Sequence, residues 1–172
     1  MAGTNQGRLI ATIGPPGAGK TTWRHTHAEP GMTVVSLDDD RRALSWCGCS
    51  SNQDTTALAV AAGLVAAHTA LARGGTVLWD ATNAEPAARR LLLALGAEHH
   101  AHTTAVVLLP PLDVVLAGNG RRDSTPCLCG WARRVPDPVV RAMHAAITAD
   151  LPQLHTEGWT QVHRVHRLNT PG

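Results

Sequence analysis

RLIATIGPPGAGKTTW, residues 8–23, decides the fold. An apolar run, Arg8 to Ile13, passes directly into a glycine-rich loop, and the loop passes into a helix-forming stretch that begins at Lys20. The loop itself, Gly14–Thr21, satisfies G-x-x-x-x-G-K-[ST] at every fixed position. Each fixed position has a physical reason. Glycines let backbone N–H groups curl around an anion, and the start of the following helix adds partial positive charge. A lysine at position 20 reaches the outer phosphates of a nucleotide, and the Thr21 hydroxyl is placed to ligate Mg²⁺. The residues expected to contact a nucleotide are therefore Gly14, Pro15, Pro16, Gly17, Ala18, Gly19, Lys20, Thr21 and Thr22.

Working outward, extended and helical patterns alternate along the whole chain. RLIATIG, GMTVVSL, GTVLWDATN, TTAVVLLP and EGWTQVHRV read as strands. KTTWRHTHAE, DDDRRALSW, AEPAARRLLLALGAEHH (with Pro86 near its start), PLDVVLAGNGRRD and VPDPVVRAMHAAITADL read as helices. QDTTALAVAAGLVAAHTALARG is expected to be a long, mostly buried helix closed by Gly74, and STPCLCGWARR an irregular insertion. This alternation predicts an α/β fold of the P-loop NTPase type, a mainly parallel sheet with helices on both faces and an arginine-bearing lid. No repeat or low-complexity linker interrupts it, so residues 1–172 are expected to form one domain, with 1–7 and 167–172 flexible.

Composition limits the alternatives. The chain has 172 residues, 44% of them apolar, yet no Phe or Tyr, so Leu, Val, Ala and five Trp must fill the core. A net charge of +2 excludes a polycation, and any nucleic-acid contact must come from a local patch. The N-terminus is polar, no apolar run is expected to reach membrane-spanning length, and a cytoplasmic location is the default expectation.

Asp80 closes the apolar run TVLWD, where a carboxylate can help hold Mg²⁺ beside the loop; Asn83 reads as a possible N-cap of the next helix. No N-K-x-D motif is present, so ATP, or several nucleotides, is expected rather than GTP alone. Parallel strands deliver ligands to their carboxyl ends. VVSLDDDRRAL, residues 34–44, should therefore bring Asp38 to the rim that carries the phosphate loop. An acceptor hydroxyl needs an oriented carboxylate to take its proton, and Asp38 is the first acid past the strand. Arg41 lies one turn later on the same face, suited either to a phosphate beside that hydroxyl or to a simple ion pair with Asp38. Asp39 and Asp40 turn away, with helix-dipole compensation as their expected role.

Taken together, GPPGAGKTTW, SLDDDRRAL, VLWDATNAEPAARR, GNGRR, RRVPDPVVRAMH and EGWTQVHRV resemble the polynucleotide 5′-hydroxyl kinase family from about Leu9 to Val165. That resemblance implies transfer of the γ-phosphate of ATP, with Mg²⁺, to the 5′-OH of DNA or RNA. It implies Asp38 as general base, Arg41 as holder of the adjacent phosphate, and Arg122 as a lid arginine on the donor phosphates. One departure stands out: family lids usually read R-N-x-x-R, whereas Gly118 occupies the first position here, and DSTPCLCGWA is inserted before RRVP. Arg121, Arg133 and Arg134 are the candidates to replace the missing arginine. A kinase of small molecules and a non-catalytic nucleotide-binding module are the competing readings.

Four cysteines form two C-x-C pairs, Cys47 with Cys49 and Cys127 with Cys129. Brought together as thiolates they would make a structural Cys₄ zinc site. C-x-C is tighter than the usual spacing, which ranks free thiols first, zinc second and a disulfide under oxidation third. His25, His27, His99, His100 and His102 are expected to be solvated partners of helix ends rather than ligands. Trp79 is expected in the core. Trp46 and Trp131, beside the cysteine pairs, are candidates either for stacking on a base or for loop packing.

Overall fold

The computed structural model describes residues 6–165. Five strands, β1 (Arg8–Ile13), β2 (Thr33–Ser36), β3 (Thr76–Asp80), β4 (His102–Leu108) and β5 (Gln161–Val165), form one sheet in the order β2-β3-β1-β4-β5. Every pairing is parallel. The helices are α1 (Lys20–His27), α2 (Leu37–Leu44), α3 (Thr56–Leu71), α4 (Pro86–Glu98), α5 (Leu112–Gly120) and α6 (Asp137–Leu154).

Side-chain alternation along the strands divides the core in two. Leu9, Ala11 and Ile13, with Val77, Trp79, Ala105 and Val107, face a layer that includes Ala67, Leu71, Leu92 and Leu95 from α3 and α4. Ile10, Leu78, Val106 and Leu108 face the opposite way, onto Trp23 of α1 and Val115 of α5. Trp79 is in the core, as expected. Residues buried on both faces explain why the strands read as continuous apolar runs.

The long apolar segment departs from expectation. It begins as a 3₁₀ turn, Gln53–Thr55, capped by the Asn52 side chain, which accepts from the Asp54 N–H at 3.1 Å. Only Ala59, Gly63, Ala67 and Leu71 of α3 are buried, while Leu58 and Val65 are 61% and 69% exposed. The buried stripe is small because α3 lies close to the sheet: a Cβ on Gly63 would sit 2.6 Å from Val35 Cγ1. Gln53–Leu71 is also long and apolar enough to cross a bilayer, contrary to expectation, but its buried stripe is packed on the sheet.

The expected flexible tail 167–172 lies outside the described residues, as do residues 1–5. Gln6 and Gly7, from the N-terminal stretch expected to be flexible, are among the described residues and bond to the start of β4 and the turn before it. Gly7 is buried and its carbonyl accepts from the His102 N–H at 2.8 Å, while Gln6 Nε2 donates to the His100 carbonyl at 2.7 Å.

Among the described residues, one charged side chain lies wholly inside. Arg89 of α4 is 1% exposed and donates to Glu157 at 2.6–3.1 Å and to Asp150 at 2.7 Å. Glu157 also accepts from Trp159 Nε1 at 3.2 Å, so this knot ties α4 to α6 and to the turn before β5. Two carboxylates and two backbone carbonyls answer the buried guanidinium, as a charge in that position requires.

Candidate active site

The carboxyl edge of the sheet carries the site. Gly14 leaves β1 with its N–H bonded to the Thr82 carbonyl at 3.0 Å. Gly17 and Gly19 have φ of 90° and 89°, the left-handed region where a side chain is strained, and these turns fold the loop backbone inwards. The Ala18 N–H is used by the Pro15 carbonyl, and Pro15 and Pro16 have none to offer. The first-turn N–H groups of α1, from Lys20 to Thr22, face a helix start capped only by Gly19 and free of acidic residues. Such a cradle fits the phosphates of a nucleotide. Lys20 Nζ donates to the Gly14 and Pro15 carbonyls at 2.7 and 3.0 Å. Burial lowers its pKa from 10.5 to about 8, opposed by Asp80 and Asp38 and assisted by Arg122. Thr21 and Thr22 are exposed at the cradle's outer rim.

Asp80 is held by a residue the sequence did not single out. The Thr12 hydroxyl, fully buried, reaches Asp80 Oδ1 at 3.4 Å and the Ala81 carbonyl at 3.0 Å. Burial raises the Asp80 pKa, with Arg24, Lys20 and Thr12 opposing and Asp38 adding to the rise. Asn83 does not cap α4. It adopts a left-handed φ of 45° and donates its amide to the Thr12 carbonyl at 2.8 Å, leaving Glu85 at the N-cap position. Thr12 thus stitches the ends of β1 and β3 together and fixes the carboxylate beside the lysine.

The three acids after β2 have three different environments. Asp38 pairs with Arg41, whose Nε also donates to the Ser50 carbonyl at 2.8 Å. The ion-pair reading of this couple is therefore realised. It does not displace Asp38 from the site, because its charge acts on Lys20, Asp80 and Arg122. Asp39 has more than a dipole role. It binds Arg24 at 2.8 Å and Arg42 at 3.0 Å, and Arg24 Nη1 lies 3.4 Å from Asp80. Arg24, four residues after Lys20 and almost wholly buried, thus bridges the acidic helix to the strand-end carboxylate. The sequence signal for it was faint: one arginine among polar residues of a short helix. Asp40 has an Oδ2 without a hydrogen-bond partner, and burial raises its pKa.

The lid runs from the end of α5 to the start of α6. Asn119 closes its neck: fully buried, it donates to the Val135 carbonyl at 2.7 Å and accepts from the Val135 N–H at 3.2 Å. The Arg134 N–H adds a bond to the Asp123 carbonyl at 2.8 Å. Gly118 has a steric reason to replace a family arginine here. A Cβ at that position would lie 2.4 Å from the Gly17 carbonyl, so α5 packs directly on the phosphate loop. Arg122 is placed over the site, its pKa lowered by burial and by Arg133 and raised by Asp38. Among the three replacement candidates, Arg134 turns to Asp137 at 3.4 Å and Arg121 is exposed, whereas Arg133 acts on Arg122.

Both C-x-C pairs converge beside this lid. All four Sγ atoms lie within 4.8 Å of one another. Cys47 and Cys49 are 3.4 Å apart and Cys49 and Cys129 3.3 Å, well beyond the ~2.05 Å of a disulfide, so all four are free thiols in this structure. The Ser45 hydroxyl lies 3.0 Å from Cys47 Sγ. That contact lowers the Cys47 thiol to about 6, whereas burial drives Cys129 up to about 12. Trp46 is 73% exposed and Trp131 42%, so loop packing does not account for Trp46. Among the expected bystander histidines, His99 joins His68 and Glu98 in a group at the other end of α4.

The fold and sequence have known counterparts. The AAA domain family profile matches residues 9–149. Among solved structures, a chain of the Pnkp1/Rnl/Hen1 RNA repair complex superposes with a TM-score of 0.70 and 16% identity, covering 86% of this chain and 46% of that one. This protein therefore spans about half the length of that relative. Shikimate kinase from Acinetobacter baumannii in complex with shikimate gives 0.54 and 19%, covering 94% and 85%. The tunicamycin resistance protein of Deinococcus radiodurans gives 0.53 and 20%, covering 92% and 86%. No curated protein matches the sequence. A profile match over most of the chain, on a five-stranded parallel sheet with a phosphate loop after its first strand, means that the chain belongs to the AAA domain family and has a P-loop kinase fold.

Proposed function

We propose that the protein is an ATP- and Mg²⁺-dependent phosphotransferase whose acceptor is the 5′-OH of a polynucleotide. The observation that carries this reading is the convergence of Lys20, Asp80, Asp38 and Arg122 at one edge of the sheet, where the charges of Asp80, Asp38 and Arg122 all act on Lys20. The phosphate loop and α1 hold the β- and γ-phosphates of ATP. Thr21 and Asp80 hold Mg²⁺, which neutralises charge on the transferring group. Lys20 and Arg122 stabilise the same charge from two sides.

Asp38 accepts the proton of the acceptor hydroxyl as the bond to phosphorus forms. Its partner Arg41 is already anchored by the Ser50 carbonyl and presents a guanidinium to a phosphate next to that hydroxyl. A base and an arginine in contact suit a nucleotide with a 3′-phosphate better than a bare alcohol. The fold likeness to a chain of an RNA repair complex supports the same acceptor class.

A small-molecule acceptor is the second reading, favoured by one observation. The chain covers 85% of shikimate kinase, a chain in complex with a small molecule, but only 46% of the RNA-repair chain. Transfer of radiolabelled phosphate from ATP to 5′-OH DNA, 5′-OH RNA and a nucleoside 3′-monophosphate, each against the matching nucleoside, separates the two. Labelling of 5′-OH ends supports the first reading. ATP turnover with none of these acceptors labelled overturns it, and failure to bind ATP at all removes both.

A further inference from the structure

We propose that Cys47, Cys49, Cys127 and Cys129 bind one zinc ion, and that this ion fastens the lid to the loop after α2. Neither the phosphate loop nor the transfer chemistry calls for these cysteines, and the two pairs are brought together across 80 residues of chain.

Geometry supports a tetrahedral thiolate site. With Zn–S bonds of ~2.3 Å, tetrahedral sulfur atoms stand ~3.8 Å apart. The observed separations of 3.3 and 3.4 Å, within a cluster no wider than 4.8 Å, bracket that distance. The backbone is shaped for it as well. Gly48, between the first pair, and Gly130, after the second, have left-handed φ of 67° and 83°. The Cys127 N–H bonds to the Trp131 carbonyl at 2.9 Å and the Gly130 N–H to the Cys127 carbonyl at 2.8 Å, closing a tight turn that presents both sulfurs to one side.

The junction otherwise has little to hold it. Among the described residues, no hydrogen bond or ion pair joins residues 45–52 to residues 121–135 apart from those among the four sulfurs. Nor does apolar packing supply the link, for Trp46 and Leu128 are 73% and 86% exposed. Thiols are weak donors and acceptors, too weak to fix a lid. Four metal–sulfur bonds are not. The ion would set the position of Arg122 from one side, while Ser50, next to Cys49, sets Arg41 from the other. Ligation displaces the thiol protons, so binding weakens as pH falls.

Metal analysis of the full chain, purified without chelator, tests the site independently of any kinase activity. It should find about one zinc per chain. Cobalt substitution should give the intense visible bands of a tetrahedral thiolate site. Cys47→Ser and Cys127→Ser should each lower zinc retention at least tenfold. A folded wild-type protein with four titratable thiols and under a tenth of an equivalent of zinc overturns the proposal, as does zinc retained by the double variant. Iron in place of zinc overturns the metal assignment. Hydrogen exchange before and after zinc removal tests the staple: amides of 121–135 should exchange faster without metal, while those of 14–22 stay unchanged. Unchanged exchange in the lid would leave a zinc site without the lid function and overturn that part.

Discussion

Helices α1 and α2 are each eight residues long and start at the same edge of the sheet, yet their first turns are built oppositely. The N-terminus of α1 is capped by a glycine with no side-chain acceptor and has no acidic residue in its first turn. The N-terminus of α2 is capped by Ser36 Oγ, which accepts from the Asp39 N–H at 3.4 Å, and carries three acids. Both ends expose the same partial positive charge. One leaves it for an anion that arrives from outside, and the other answers it with its own side chains. The difference separates a helix start left open to an outside anion from one already answered by its own acids.

The largest test of this contrast is at Asp38. Asp38→Asn keeps the shape and removes the proton acceptor. Turnover should fall ~10²–10⁴-fold with nucleotide affinity nearly unchanged. A variant with normal turnover would mean that the acids of α2 merely balance the helix. Lys20→Ala should lower turnover ~10²–10³-fold by removing a donor from the transferring phosphoryl group, measured in the same transfer assay.

The pH dependence of nucleotide binding sharpens the comparison further. In the free protein the Lys20 pKa is depressed to about 8. Bound phosphates favour the charged form, so binding draws a proton onto Lys20 above that pH. Affinity should be flat below about pH 8 and fall by up to ~tenfold per unit above it, until the pKa of the complex is reached. Calorimetry in buffers of different ionisation enthalpy should detect proton uptake at pH 9 and little at pH 7. Equal proton uptake at both would show that Lys20 is not the coupled group.

Placing an acid on the wrong helix should reverse the signs. Thr22→Asp adds a carboxylate to the first turn of α1. The unliganded fold should gain ~0.3–1 kcal/mol, read by thermal melting, while nucleotide affinity drops. Equal changes in both states would deny α1 its anion-binding role.

The smallest effects lie within the acidic turn itself. Asp39→Asn frees Arg24 to pair with Asp80 alone and should lower turnover a few-fold, more than Asp40→Asn. Asp40 has a raised pKa and an unpaired buried oxygen, so its carboxylate opposes folding above the unfolded-state pKa. Asp40→Asn should therefore raise the melting temperature slightly at pH 7, and the gain should vanish at acid pH, where the native carboxyl is protonated. A loss of stability at pH 7 would show that Asp40 has a partner in solution.

What the sequence determined by itself was whatever depends on local spacing. The phosphate loop, the alternation of strands and helices, the parallel sheet and Asp38 in the helical turn that follows β2 come from motifs and periodicities contained within a few residues, because a glycine turn and an apolar run act where they stand. The tertiary structure alone decided which distant groups meet. Arg24 bridging Asp39 and Asp80, Thr12 beneath Asp80, Asn119 closing the lid on Val135 and Arg89 buried against Glu157 each pair residues from separate elements. Nothing local marks an arginine as buried or an asparagine as a clasp. Gly118 shows the limit most plainly: in sequence it is a missing arginine, and in space it is the clearance that lets α5 rest on Gly17. The cysteines fall between the two. Their spacing raised a metal site without supporting it, because C-x-C chelates poorly alone and only the fold of the lid back over the α2 loop supplies the second pair.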